Sequence, residues 1–281
     1  MNMLSSVSTE PETINTPTPA GHEITPRDRR FGRDADFNPD KYWQNGDPVA
    51  TAFYNCLSLT FPRGEAFFIE SVKEFRDRTP AKLQKEIRAF VQQEVIHSRE
   101  HLALNRRVEE NGYDTSRIEQ RITESLNMTK DRPKIANLAA TMILEHFTAI
   151  MAQQFLANPR HWQALEEIEH KGVAYDTWLY ATRDWSRWQR WKVKALMMLV
   201  ITRNFWGNRW NDSLDLLAQD GLTGWRVKLR LLKFLLVAPG IARAIIIPWC
   251  KFFLPGFHPW NEDDRHLIQR AESDYEAALT G

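Results

Sequence analysis

The sequence contains only two cysteines in 281 residues, Cys56 and Cys250, and they do not form a Cys-x-x-Cys motif. Neither a disulfide framework nor a cysteine zinc site is indicated, and a reducing cytoplasm is the expected location. The net charge is only +1, so the chain as a whole lacks the basic excess of nucleic-acid-binding proteins, and we expect no nucleic-acid partner. Runs of alternating apolar and polar residues are also missing, and this predicts an all-α fold.

Long uncharged runs are scarce at both ends of the chain. Residues 1–30 are rich in Ser, Thr and Pro and have no continuous apolar core, so we expect a disordered tail without a secretory signal. A membrane span needs about 20 largely uncharged residues, and Arg243 with Pro239-Gly240 interrupts the most apolar window near the other end. We therefore expect one domain, formed by a helical bundle over residues 31–183 and a helical extension over residues 184–281.

What the sequence has instead is a repeated Glu-x-x-His motif in helical contexts, first at Glu94 and His97 and again at Glu167 and His170. Residues three apart lie on the same face of a helix, so each motif presents a carboxylate and an imidazole together. One such motif is weak support for a metal site, because surface helices produce the spacing by chance. Two copies are typical of ferritin-like bundles, which hold two metals with one further Glu from each of two other helices.

Two further glutamates stand in apolar helical stretches. Glu65 begins a predicted helix over residues 64–76, after a break expected at 61–64, and Glu145 lies within a predicted helix over residues 137–156. The order Glu, Glu-x-x-His, Glu, Glu-x-x-His fits two antiparallel helix pairs. In the second pair, however, the helical rise places Glu145 and Glu167 at distances from the connecting turn that differ by about one helical turn. The sequence thus predicts a ferritin-like four-helix bundle with additional C-terminal helices and a dinuclear metal site.

Three more residues lie close to these motifs. His101 shares the stripe of Glu94 and could be an extra ligand, a proton relay or a buried core histidine. His146 adjoins Glu145 but points roughly 100° away, and Asp176 could orient a ligating histidine. The remaining acidic residues next to the motifs are expected to be solvated: Glu100, Glu166 and Glu169.

The chain after residue 184 differs in character, with many tryptophans and 13 Lys/Arg against four Asp/Glu between residues 183 and 255, a local excess of 13 − 4 = +9. We favour additional helices that pack on the bundle and wall an apolar substrate channel. The alternative is peripheral contact with an anionic membrane through residues 225–257. A small, apolar substrate is the expected partner, and nothing in the sequence favours one oligomeric state.

Four segments of the chain resemble a known family, the predicted metal-dependent hydrolases of bacteria. They are Phe61–Phe68, Gln93–His101, Glu166–Asp176 and Pro255–Trp260, and the resemblance covers roughly residues 30 to 275. The resemblance implies hydrolysis, and it implies that His258 and Trp260 are family features near the cover of the site.

Four Glu and two His suit two first-row metals, with iron favoured and manganese or zinc as alternatives. Analogy with other Glu-rich bundle sites favours O2-dependent oxidation or oxygenation by a di-iron centre. The resemblance favours the alternative, hydrolysis by a metal-activated water. A third hypothesis is metal binding or storage without catalysis, which the basic second half disfavours.

Overall fold

The computed structural model describes residues 16–28, 40–155 and 163–280, and within them every regular element is helical, which confirms the all-α class. In chain order the helices are α1 (Pro48–Arg76), α2 (Ala81–Glu110), α3 (Ser116–Lys130), α4 (Lys134–Phe155), α5 (Gln163–His170), α6 (Val173–Ala181), α7 (Arg187–Gln219), α8 (Trp225–Leu236), α9 (Ile241–Phe252) and α10 (Arg265–Thr280). Helix α1 packs along α2 and contacts α4, and α4 packs on α5 and α6. A specifically ferritin-like bundle remains a prediction.

The helix break expected at residues 61–64 is wrong, because α1 runs unbroken through Pro62. A proline inside a helix lacks the N–H that would bond the carbonyl four residues earlier, here that of Ser58. The side-chain amide of Asn105 on α2 donates to this carbonyl at 3.2 Å. The neighbouring helix therefore satisfies the acceptor that Pro62 leaves free, and Glu65 lies within a long rigid helix.

The fourth metal helix, expected to continue to about Arg183, is instead two helices, α5 and α6, separated at Lys171 and Gly172. The indole of Trp260 lies against this break, where a Cβ on Gly172 would come 2.7 Å from the indole nitrogen. Only glycine leaves room for Trp260, which is buried and also lies over the Lys171 ammonium. The C-terminal segment thus packs directly beside His170.

The N-terminal segment 16–28 is ordered against α5 and α6, so the prediction of a disordered tail does not hold for these residues. Thr18 donates to the Asp176 carboxylate at 2.7 Å, and His22 contacts the carbonyl of Glu169 at 2.7 Å. These contacts are polar, which explains why a sequence with few apolar side chains gave no sign of docking. Residues 1–15 lie outside the described residues.

The C-terminal helices cover one side of the bundle, with α7 against α1 and α4, and α9 against α4. By length and composition, one described helix, Lys134–Gln154 in α4, is apolar enough to cross a membrane, but 78% of its most apolar window is buried inside the protein. Helices α8 and α9 pass the same test only as a pair bent by 48°. Burial identifies α4 as the central helix of the core.

Candidate metal centre

Four helices bring the six predicted ligands to one place in the core. Helix α1 contributes Glu65, α2 contributes Glu94 and His97, α4 contributes Glu145, and α5 contributes Glu167 and His170. None of the six is more than 8% exposed. On α2 the reason is periodic, because buried residues recur three or four positions apart, from Phe90 through Glu94 and His97 to His101.

His170 lies at the middle of the cluster. Its Nε2 atom is 3.3 Å from Glu94 Oε1, 3.2 Å from Glu145 Oε2 and 3.3 Å from Glu167 Oε2. The expected offset of about one turn between Glu145 and Glu167 therefore does not keep their carboxylates apart. Three carboxylates on three different helices converge on a single imidazole nitrogen.

The six side chains form two groups of potential metal ligands that share one residue. Glu65, Glu94 and His97 offer ligand atoms that all lie within 4.8 Å of one another, and so do Glu94, Glu167 and His170. His97 Nδ1 also lies 3.5 Å from Glu167 Oε1, which connects the two groups. Glu94 is thus the residue common to both groups and would serve both ions if two were bound.

Each histidine is oriented by an outer partner that the sequence analysis did not assign. His97 Nε2 lies 2.8 Å from Glu166, and His170 Nδ1 lies 3.0 Å from the Gln93 side-chain oxygen. An N–H donated to these oxygens leaves His97 Nδ1 and His170 Nε2 free to face the carboxylates. Ser98 similarly donates to Glu65 at 2.6 Å.

The prediction that Glu100, Glu166 and Glu169 are solvated is wrong, since all three are buried. Glu166 and Glu169 do point away from the ligand stripe, as helical geometry requires. However, α5 is buried on every face, between α2, α4, α10 and the N-terminal segment. The signal that could have found Gln93 and Glu166 was their position directly before Glu94 and Glu167 in both motifs.

Glu166 and Gln93, the residues that orient the two histidines, are both connected to Arg27 by hydrogen bonds, Gln93 through Glu169. The Arg27 backbone N–H donates to Glu166 Oε1 at 3.1 Å, and its guanidinium donates to both oxygens of Glu169 at 2.9 and 2.8 Å. Glu169 in turn accepts from the Gln93 side-chain nitrogen at 2.9 Å. One arginine, in a stretch that we expected to be a solvated tail, therefore supports the partners of both histidines.

Burial shifts the ionisation of the carboxyl groups. It raises the pKa of Glu65 to about 8, although His97 and Ser98 favour the charged form. It also raises the pKa of Glu94 well above its usual range, and the nearby carboxylates of Glu145, Glu167 and Glu65 raise it further. Without a compensating cation, burial therefore opposes ionisation of Glu65 and Glu94, whereas at Glu167 burial is outweighed by hydrogen bonds from His170 and His97, which lower its pKa.

The histidines shift in the opposite sense to ordinary buried imidazoles. Burial lowers the pKa of His170, but Glu145 and Glu167 outweigh it and raise that pKa to about 10. Burial likewise lowers the pKa of His97, but hydrogen bonds to Glu166 and Glu167 raise it well above the usual value. In the metal-free protein, protons take the place that metal cations would occupy.

We expect the metal-free protein to lose stability as pH rises from about 6 to 9. The folded-state pKa values of Glu65 and His170, about 8 and about 10, lie above the ordinary values of 4.5 and 6.5. The stability linked to both protons is therefore complete at low pH and lost as pH rises through these values. The Tm of chelated protein should be on the order of 5 °C lower at pH 9 than at pH 6.

Thermal unfolding followed by circular dichroism, with chelator or with excess divalent metal, checks this expectation. Metal should remove most of the fall, because bound cations replace the protons and stabilise the folded state. A Tm of chelated protein that rises between pH 6 and 9 would contradict it.

Replacing Gln93 by Leu should weaken metal binding roughly 10–100-fold, the usual effect of losing a hydrogen bond that orients a ligating histidine. Leu keeps the approximate size but can neither accept from His170 nor donate to Glu169. The measurement is a competition titration with a chromophoric chelator. Gln92→Leu is the matched control, because Gln92 is the adjacent exposed residue on the same helix; equal effects of the two substitutions would rule out the orienting role.

The structure does not place the three additional candidates among the ligands. His101 Nδ1 lies 3.0 Å from Ser58 and its ring stacks on Phe61, while burial lowers its pKa to about 3. His146 packs against Phe252 and Phe257, away from the cluster. These contacts make His101 and His146 neutral packed histidines.

Asp176 does not orient a predicted ligand. Its carboxylate lies 2.8 Å from His258 Nε2 and accepts from Thr18. It therefore fastens the N-terminal segment and the late His258–Trp260 segment over α6.

The donor set fits metal ions. Glu65 Oε1 is buried without a hydrogen-bond partner, and the buried Glu94 Oε1 and Glu145 Oε2 both depend on the same His170 Nε2, at 3.3 and 3.2 Å. Among the described residues, no Lys or Arg forms an ion pair with the four ligand carboxylates. Buried carboxylates without partners are costly, and two divalent cations would balance four of them. Imidazole with carboxylate oxygens suits first-row metals and leaves iron, manganese and zinc open.

A family profile described as "Predicted metal-dependent hydrolase" matches residues 25–263. The chain belongs to this family. The match begins just before Arg27 and ends after Trp260, so it includes all six clustered side chains and the segments that cover them. No curated protein and no solved structure matches the chain.

A cavity of about 290 Å³ lies between α4, α9 and the segment after α9, and none of the six clustered side chains lines it. Two of its lining residues directly follow clustered side chains in the sequence, His146 after Glu145 and Lys171 after His170. Its walls combine apolar side chains such as Ile150 and Phe257 with Lys171 and His146.

Proposed function

We propose that this member of the predicted metal-dependent hydrolase family hydrolyses a small molecule at a dinuclear metal centre. The observation that carries the proposal is the cluster of four buried carboxylates around two buried histidines, without ion pairs to Lys or Arg among the described residues. The family description supports hydrolysis. The O2-dependent oxidation favoured by analogy with other Glu-rich bundles has no support from the family match, so hydrolysis replaces it as the leading function.

Glu65, Glu94 and His97 would hold one ion, and Glu94, Glu167 and His170 the other, with Glu145 beside His170. Bound ions of this kind lower the pKa of a water molecule and stabilise the negative charge that develops during hydrolysis. The protein supplies the geometry. Glu166 keeps His97 Nδ1 directed at the centre, and Gln93 does the same for His170 Nε2.

Burial gives the second contribution. The centre lies in a low-dielectric interior, where interactions between charges are stronger than in water. Ser98 donates to Glu65 Oε2 and leaves Oε1 free, so this carboxylate is positioned to bind metal through one oxygen and keep its hydrogen bond through the other.

We also propose that the substrate carries an apolar part. The lining of the cavity between α4 and α9 by Ile150, Leu254 and Phe257, together with the apolar composition of the second half, supports this proposal. Turnover restricted to small polar compounds would contradict it.

The deciding experiment combines elemental analysis with an activity panel of esters, amides and phosphoesters of increasing chain length. We expect about two metal ions per chain and hydrolysis that stops with a chelator, returns with added metal and continues without O2. Iron that bleaches on reduction, with product formation tied to O2 consumption, would instead restore the oxidation hypothesis. Metal binding without turnover of any substrate would support storage.

A further inference from the structure

Helix α8 exposes an apolar stripe on the side away from the core. Trp225, Leu229, Leu232 and Leu236 are 69%, 55%, 43% and 43% exposed. Their spacing of four, three and four residues places them on one face. The opposite face, with Val227, Leu231, Phe234 and Leu235, is buried in the core. The helix is therefore apolar on two sides, and no described residue covers the outer one.

Basic side chains flank the outer stripe. At about 100° per residue, Arg226, Arg230 and Lys233 lie on one side of it and Lys228 on the other. All four are exposed, and only Arg230 lies near an acid, 3.5 Å from Asp47. The stripe is thus bordered by positive charge along its length.

Among the described residues, Asp47 and Glu262 are the acids with exposed side chains that pair with basic side chains of α8 and α9, namely Arg230 and Lys251. Between residues 187 and 254, all of them described, the only acids are Asp212, Asp215 and Asp220, and none of the three is exposed. They pair with basic groups of α3, of α7 itself and of the turn before α1: Arg117, Arg121, Arg209 and Lys41. Most of the basic residues behind the local excess of +9 are, by contrast, exposed.

The apolar surface continues beyond α8. Val237, in the short turn before α9, is 55% exposed, and Ile246 and Ile247 on α9 are 52% and 68% exposed. Arg243 and Lys251 are exposed on the same helix. At 12 residues each, α8 and α9 are about 18 Å long, shorter than the ~30 Å hydrocarbon layer of a membrane.

We propose that the outer face of α8, with the turn and the exposed residues of α9, binds the surface of a membrane that contains anionic lipids. An exposed apolar stripe with tryptophan and flanking Lys and Arg is the composition of helices that lie in the membrane interface. The apolar side chains enter the boundary between headgroups and acyl chains, and the basic ones contact lipid phosphates. A second copy of the chain fits less well, because pairing two such faces would bring like charges together.

The experiment is co-sedimentation of the full-length protein with vesicles of phosphatidylcholine alone or with 30 mol% phosphatidylglycerol. We expect binding to the anionic vesicles only, weakening as salt is added. The triple substitution Arg226→Gln, Lys228→Gln and Lys233→Gln should lower the partition coefficient about a hundredfold, since each basic side chain near an anionic surface contributes roughly fivefold. The matched control removes three exposed charges elsewhere: Lys73→Gln, Arg88→Gln and Lys130→Gln.

A second variant, Leu229→Glu with Leu232→Glu, tests the apolar stripe at exposed positions that the fold does not need. It should abolish vesicle binding and leave the circular dichroism spectrum unchanged. Equal binding to both vesicle types, or equal loss in the control triple variant, would overturn the proposal. So would an absence of vesicle binding together with a dimer in size-exclusion chromatography that the double glutamate variant dissociates.

Discussion

Glu94→Gln should reduce bound metal from about two ions per chain to nearly none and lower hydrolytic activity roughly a thousandfold or more. Glu94 is the residue shared by both groups of potential ligands, so its loss affects both ions. Gln keeps the shape but removes the charge that a divalent cation requires. Elemental analysis and the initial rate on the best substrate of the panel measure the two effects.

The same substitution should stabilise the metal-free protein at alkaline pH. Burial and three neighbouring carboxylates oppose ionisation of Glu94, and a neutral amide removes that repulsion. At pH 9 the chelated variant should therefore unfold at a higher temperature than chelated wild type. Glu110→Gln is the control, because Glu110 is an exposed carboxylate on the same helix. Retention of both metals in the Glu94 variant would mean that the shared-ligand geometry is wrong.

Arg27→Ala should destabilise the protein by about 3 kcal/mol or more, because it leaves buried carboxylates without their cation. The Arg27 side chain is 13% exposed and that of its partner Glu169 is 4% exposed. The substitution should also weaken metal binding roughly 10–100-fold, since the guanidinium holds Glu169, which accepts from Gln93 behind His170, whereas the backbone N–H bond to Glu166 is kept. Urea unfolding and chelator competition are the respective measurements.

Two comparisons isolate the geometry of this arginine. Arg27→Lys keeps the charge but cannot donate to both oxygens of Glu169 in the same way, so it should recover part of the stability and little of the metal affinity. Arg76→Ala removes a solvent-screened ion pair with Asp77 and should leave the free energy of unfolding nearly unchanged. Wild-type metal affinity in Arg27→Ala would show that the Arg27 guanidinium does not support the centre.

The departures from the sequence analysis have local physical causes. Pro62 argued for a helix end, but Asn105, 43 positions later, satisfies the carbonyl that the proline leaves free. Gly172 did not by itself predict the end of α5. Glycine is needed there because the indole of Trp260, from a distant part of the sequence, packs against this position. Glu166 was predicted to be solvated because its side chain points away from the helix face of Glu167 and His170. That inference fails for α5, because this helix is enclosed on all sides.

The sequence by itself determined the helical class and the six side chains gathered at the centre. Helical periodicity is local, so a Glu-x-x-His spacing and an apolar run around a lone Glu can be recognised without knowing the neighbours. The tertiary structure alone decided which atoms of the histidines face the carboxylates, which residues orient them, and that Arg27 lies behind both. It also decided which face of α8 remains uncovered. These features depend on contacts between residues far apart in the chain, and no local pattern records such contacts.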